Sequence, residues 1–356
     1  MQSRRWWYSL GLALAVVTGG LAAHGAAFVT PLTPDKARVE AIKAKATEIA
    51  KAATPADARK AAQDFIDVST DKDCKEAGFL NSYLGGDNGK PGVAEQIETL
   101  VLNDEKVPTP NKISGMVAVC QIQLNMLPGG ASSIELPVID KPLTRMLKNA
   151  TPAVRYWSAK TLAAMIPKMR KDGLTRAVKE VTVALADAAK IETAPLARAQ
   201  MLRGLGLAGQ VAPLIDGVKV LAKTMQTKAP DTNDLDVAIM AVGALNEAAS
   251  TADPKLTKDE EAAAASAVAN TMSFAAQHLF NGKIDLSELG KVNDLVKVAV
   301  QTLNTLGKDA KWITPPARGS DSASLLLAID DITGSSRPGK VQEKFPTVPA
   351  PPRVGK

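Results

Sequence analysis

Three prolines, Pro110, Pro152 and Pro195, stand 42 and 43 residues apart, and each follows a threonine or an alanine. Proline is tolerated in the first turn of a helix, where its missing N–H has no helical partner, so each site reads as a helix start. A helix that restarts about every 40–47 residues, with a second helix in between, constrains the chain to a row of two-helix units. Apolar residues recur at helical spacing on both sides of these starts. Leu143 and Leu147 precede Thr151-Pro152, and Val154, Ser158 and Leu162 follow it. Val181 and Leu185 precede Ala194-Pro195, and Met201 and Leu205 follow it. A third unit is expected over Asp236 to Leu245. Alanine supports the same class: 58 of the 356 residues are alanine and only 13 are aromatic. Alanine is the best helix former, while sandwiches and barrels draw on β-branched and aromatic residues, so an all-β fold is excluded in favour of an all-α one.

The two units align residue by residue. Thr151-Pro152-Ala153-Val154-Arg155 matches Ala194-Pro195-Leu196-Ala197-Arg198, and Leu205-Gly206 follows in the second. A Val-Arg pair early in the second helix, with Leu-Gly about two turns later, resembles the HEAT and armadillo class of repeat over residues 140–210. Asn149 and Thr151 stand where that class often has aspartates, Ala197 replaces the valine, and the third unit lacks the arginine. The resemblance implies an α-solenoid of stacked helix pairs. In helical projection Val154, Trp157, Leu162, Met165, Ile166 and Met169 share one side, read as core packing. Arg155 falls inside that apolar arc, so it needs a buried or half-buried partner.

The two ends read differently from the body. Arg4-Arg5, an apolar run of about 14 residues and Gly25-Ala26-Ala27 have the order of an export signal, and the run is short for a membrane span. Residues 1–27 are therefore expected to be a signal peptide, with an uncleaved anchor as the alternative. The expected divisions are then an N-terminal helical region (28–130), HEAT-like repeats (131–312) and a largely disordered tail (313–356). From Thr333 onward, five prolines, net positive charge and the missing helical period read as disordered or polyproline-like chain. Cys74 and Cys120 are the only cysteines. In an exported chain they could form one disulfide, or serve as two small buried hydrophobes.

Several chemistries are excluded or weakened. Outside the signal the chain has one histidine, His278, which argues against a Ser-His-Asp hydrolase and a multi-histidine metal site. It lies between Phe274 and Phe280 and reads as a packed residue. Gly204-Leu205-Gly206-Leu207-Ala208-Gly209 has the letters of a dinucleotide-binding turn, but a helix precedes it where a strand is required, so it reads as a closely packed helix end. Gly85 to Pro91 lacks the Ser or Thr of a phosphate loop, and Asp71-Lys72-Asp73 lacks the later glycine and glutamate of a calcium loop. No cofactor and no metal site is expected.

Charge singles out one surface. The chain is +6 overall, but the excess sits at its ends and residues 28–332 balance to zero. Within them, Lys141, Arg145, Lys148, Arg155, Lys160, Lys168, Arg170, Lys171, Arg176 and Lys179 face a single acid, Asp172, across 39 residues. Acidic stretches at 64–105 and 231–261 flank this segment. Such a stretch, with Tyr156 as an amphipathic contact, can attract an anionic partner; equally, its charges can pair with the flanks on folding. The expected function is an exported, non-catalytic protein-binding or scaffolding module, periplasmic or secreted. Its expected partner is a protein or other anionic component of the envelope, not a nucleic acid. The alternatives are a lyase or hydrolase using carboxylates in a helical cleft, and a structural envelope component.

Overall fold

The computed structural model describes residues 36–69, 97–126, 141–252, 255–317, 321–334 and 338–354. Residues 1–27, read above as an export signal, Asp71 to Asp73, Cys74 and residues 85–91 lie outside the described residues. The described chain is all-helical. It opens with α1 (Lys36–Lys51), α2 (Pro55–Ser69), a π-helical turn (Glu98–Leu102), α3 (Thr109–Met126) and α4 (Lys141–Met146). The middle holds α5 (Pro152–Lys171), α6 (Thr175–Ile191), α7 (Pro195–Leu207), α8 (Val211–Thr227) and α9 (Thr232–Thr251). Then come α10 (Lys258–Phe280), α11 (Leu289–Leu306), α12 (Ser322–Thr333) and the short α13 (Lys340–Lys344).

Helices start where the Thr-Pro and Ala-Pro pairs fall, but the caps differ in detail. The Thr54 hydroxyl accepts from the Asp57 N–H at 3.1 Å, as a cap should. Thr151 and Ala194 provide no side-chain cap to α5 and α7. Instead Asn149 and Glu192, themselves 43 residues apart, each accept the N–H two positions on. Asn149 Oδ1 takes Thr151 N–H at 2.9 Å, and Glu192 Oε1 takes Ala194 N–H at 2.7 Å. A capping box opens α10: Thr257 Oγ1 accepts from Glu260 N–H at 3.3 Å and Glu260 Oε2 from Thr257 N–H at 2.9 Å.

Packing follows alternation along the chain. Helices α3, α5, α7, α9 and α11 lie side by side, each against the next in that series, while α8, α10 and α12 form a second row. The apolar side of α5 is buried as expected, with Val154, Leu162, Met165 and Ile166 fully inaccessible. Small residues set the closest approach. Gly206 of α7 lies against Ala244 of α9, where an added Cβ would sit 2.7 Å from the Ala244 carbonyl oxygen. The Gly204–Gly209 string is thus a tightly packed helix end, closed by Gly209 at φ +73°.

Ion pairs fasten successive helices on their polar edges. Arg155 donates through Nε and Nη2 to the two oxygens of Glu192 at 2.6 and 2.8 Å, supplying the partner its position demands. Its Nη1 also holds the carbonyls of Asn149 and Ala150 at 2.7 and 2.9 Å. Lys291 of α11 pairs with Asp236 of α9 at 2.7 Å. The aligned Arg198 is different: burial lowers its pKa, Glu192 opposing, and its Nε is buried without a partner. The residue 43 positions beyond Glu192 is Leu235, so the second unit repeats the cation without its acid.

The reading of 313–356 as a largely disordered tail is corrected. Residues 322–333 form α12, with Leu325 and Ile329 buried, and the chain continues through α13 into an extended segment packed on the body. Trp312 meets Phe345 edge to face at 5.9 Å between ring centroids. In the segment that follows, Phe345, Val348, Pro351 and Val354 are buried and the residues between them are exposed. Burial falls at every third residue, a spacing that is neither the 3.6 of an α-helix nor the alternation of a strand, and the Val348 N–H closes a turn on the Phe345 carbonyl at 2.9 Å.

Candidate functional site

The basic stretch folds into α4, α5 and the start of α6. Lys141 opens α4. Arg145 binds Glu98 in two-pronged fashion at 3.1 and 2.9 Å, so one acid of the 64–105 stretch is neutralised by folding. Arg155 is committed to Glu192. Arg170 donates to the Leu207 carbonyl at the end of α7 at 2.9 Å, a favourable place for a cation. Arg176 pairs with Glu180 one turn on, at 2.9 Å. Lys148, Lys171 and Lys179 are exposed, and Lys168 is half-buried. Of the ten cations, Arg145, Arg155 and Arg170 are interhelix fasteners.

One group stands apart. On α5, Tyr156 and Lys160 lie one turn from each other, and the Lys160 ammonium sits 4.5 Å from the Trp157 ring centroid and 5.7 Å from that of Tyr156. The two rings meet edge to face at 5.6 Å. Burial lowers the Lys160 pKa, and the positive charge of Arg203 on α7 lowers it further. Burial likewise raises the Tyr156 pKa, with Arg203 opposing. Arg203 is exposed. Neither Lys160 nor Arg203 forms an ion pair with a carboxylate among the described residues. Sequence reasoning missed Arg203, because it lies outside the counted segment and joins Lys160 only through the packing of α5 on α7.

Beneath the rings, the Cys120 thiol of α3 is buried and donates to the Trp157 carbonyl at 3.6 Å. Burial pushes it up to about 12, against the opposing Thr161 hydroxyl and Lys160 charge, so it stays protonated and inert. The alternative bond to Cys74 involves a residue outside the described ones. His278 is a packed residue: 5% exposed, it holds the Met225 carbonyl through Nε2 at 2.6 Å and ties α10 to α8. Among the described residues, no three His, Cys, Asp or Glu side chains gather as a metal would require, and no helix is long and apolar enough to cross a membrane. No known protein family matches the chain, and no curated protein matches it.

Proposed function

We propose that the chain is an exported protein of HEAT-like repeats that binds an anionic protein partner and catalyses nothing itself. Packed helix pairs in two rows support the solenoid reading, since stacked pairs give an extended surface rather than one deep site. The export reading rests on the basic, apolar and small-residue order of residues 1–27. The observation that carries the binding reading is the uncompensated pair Lys160 and Arg203 beside Tyr156 and Trp157. Two cations on adjacent helices repel, and a carboxylate or phosphate placed between them relieves that repulsion. The rings hold the Lys160 ammonium in place, so binding orders little further. The remaining exposed lysines of 141–179 add long-range attraction.

The test is a titration with a fluorescent oligoglutamate peptide at several salt concentrations. Lys160→Glu with Arg203→Glu is expected to weaken binding about tenfold or more and to flatten its salt dependence. Lys43→Glu with Lys228→Glu changes the net charge equally at exposed sites elsewhere and is expected to change affinity far less. Equal losses in the two double variants would reduce the effect to net charge and remove this site.

A further inference from the structure

The C-terminal segment is held in a way that core packing does not require. Gln277 of α10 is only 3% exposed, and its side-chain amide is turned to the backbone of residues 352–354. Its Nε2 donates to the Pro352 carbonyl at 3.3 Å and to Ser273 Oγ at 3.0 Å, while its Oε1 accepts from the Val354 N–H at 2.8 Å. A carbonyl at one residue and an N–H two residues on point to the same side of an extended chain. One amide side chain therefore reads this backbone as a neighbouring strand would. Arg353, between them, points the other way and meets Asp330 of α12 at 3.0 Å. The side chains buried at every third position, Val348, Pro351 and Val354, fill the trough between, and the intervening Pro349, Ala350, Pro352 and Arg353 are exposed. Beyond Pro352 a cleft of about 150 Å³ continues between α8 and α10, lined by Lys219, Lys223, Gln226, Ser266 and Asn270. Backbone hydrogen bonds give affinity and spaced side-chain pockets give specificity; both are features of peptide-recognition sites.

We propose that the trough between α10 and α12 is a binding site for an extended, proline-containing peptide of the pattern Val-x-x-Pro-x-Arg-Val. The chain's own residues 348–354 are its intramolecular occupant, and the same segment of a second copy is the ligand that replaces it. Gln277 reads the backbone and Asp330 reads the arginine. The tethered segment competes at an effective concentration on the order of millimolar, so exchange needs a weakened tail or a high density of copies.

The test uses the full chain and a fluorescent synthetic peptide spanning Phe345 to Val354. Val348→Asp with Val354→Asp weakens the tethered tail and leaves the trough intact. This variant is expected to bind the peptide saturably, at least tenfold more tightly than the wild-type chain. Adding Gln277→Leu abolishes that binding, and an Arg353→Glu peptide binds tenfold or more weakly. A folded tail variant that does not take up the peptide overturns the proposal. So does a tail variant that loses its helical circular dichroism, because the segment is then part of the core rather than a removable occupant.

Discussion

Gly206→Ala lowers the urea midpoint of the protein, corresponding to a net loss of about 2 kcal/mol. The added Cβ would stand 2.7 Å from the Ala244 carbonyl oxygen, 2.8 Å from its Cβ and 2.9 Å from its Cα. These atoms are mostly backbone, so α9 as a whole must move rather than one side chain turn aside. Overpacking of this kind costs up to about 3 kcal/mol, and the better helix propensity of alanine returns only about 1 kcal/mol. Gly243→Ala is the control, on α9 itself. There the new Cβ meets only Val298 Cγ1 at 3.7 Å, an ordinary contact. The propensity term then stands alone, and this variant is expected to be up to about 1 kcal/mol more stable than wild type. The same substitution thus has opposite signs at two glycines, and the sign is set by how closely α7 approaches α9. Two losses of similar size would mean that Gly206 is not at a helix contact.

Arg155→Ala is expected to cost about 3 kcal/mol, near the lower end for breaking a buried pair. The Glu192 side chain is 1% exposed and that of Arg155 16%, so removing the guanidinium strands a desolvated carboxylate. It also frees the Asn149 and Ala150 carbonyls, which close the turn before α5. Arg155→Met with Glu192→Leu is expected to lose less than Arg155→Ala alone, since no unpaired charge remains. The pair also sets a pH dependence. Burial pushes the Glu192 carboxyl up, but the Arg155 guanidinium and the Ala194 and Thr193 N–H groups outweigh it and hold the carboxyl below its ordinary value. A depressed folded-state pKa contributes stability that is fully present above the unfolded value, about 4.3, and is lost as pH falls through the folded value. Wild-type stability, followed by urea unfolding from pH 6 to pH 3, should therefore fall more steeply below about pH 4.3 than that of Glu192→Gln. Parallel curves would mean that the carboxylate is not held by the pair.

How much of this was legible in the sequence can be seen residue by residue. The starts of α5 and α7 were legible because proline punctuates helices locally, and Pro152 and Pro195 open them. The α10 cap was legible for the same reason: Thr257 and Glu260 are three residues apart. The demand of Arg155 for a partner followed from its place in the apolar arc. The identity of that partner did not, because Glu192 lies 37 residues on and reaches it only through folding. The basic stretch illustrates the limit of counting charges along a chain. Its acids and bases are sorted by contact, so Arg145 goes to Glu98 while Lys160 is left with Arg203. The C-terminal segment was misread because its order comes from a three-residue period and from Gln277, 75 residues before Pro352. Composition rich in proline and charge gave no sign of that contact.

The account stands on helix pairs burying one another in sequence, and helix-resolved hydrogen exchange of wild type and Gly206→Ala tests this most directly. In a row of units, strain between α7 and α9 spreads to nearest neighbours. The expected result is faster exchange in α7 and α9 together, with smaller changes in α5 and α11 and none in α1 and α2. Equal acceleration throughout, from α1 to α12, would show one undivided globular core and contradict the account.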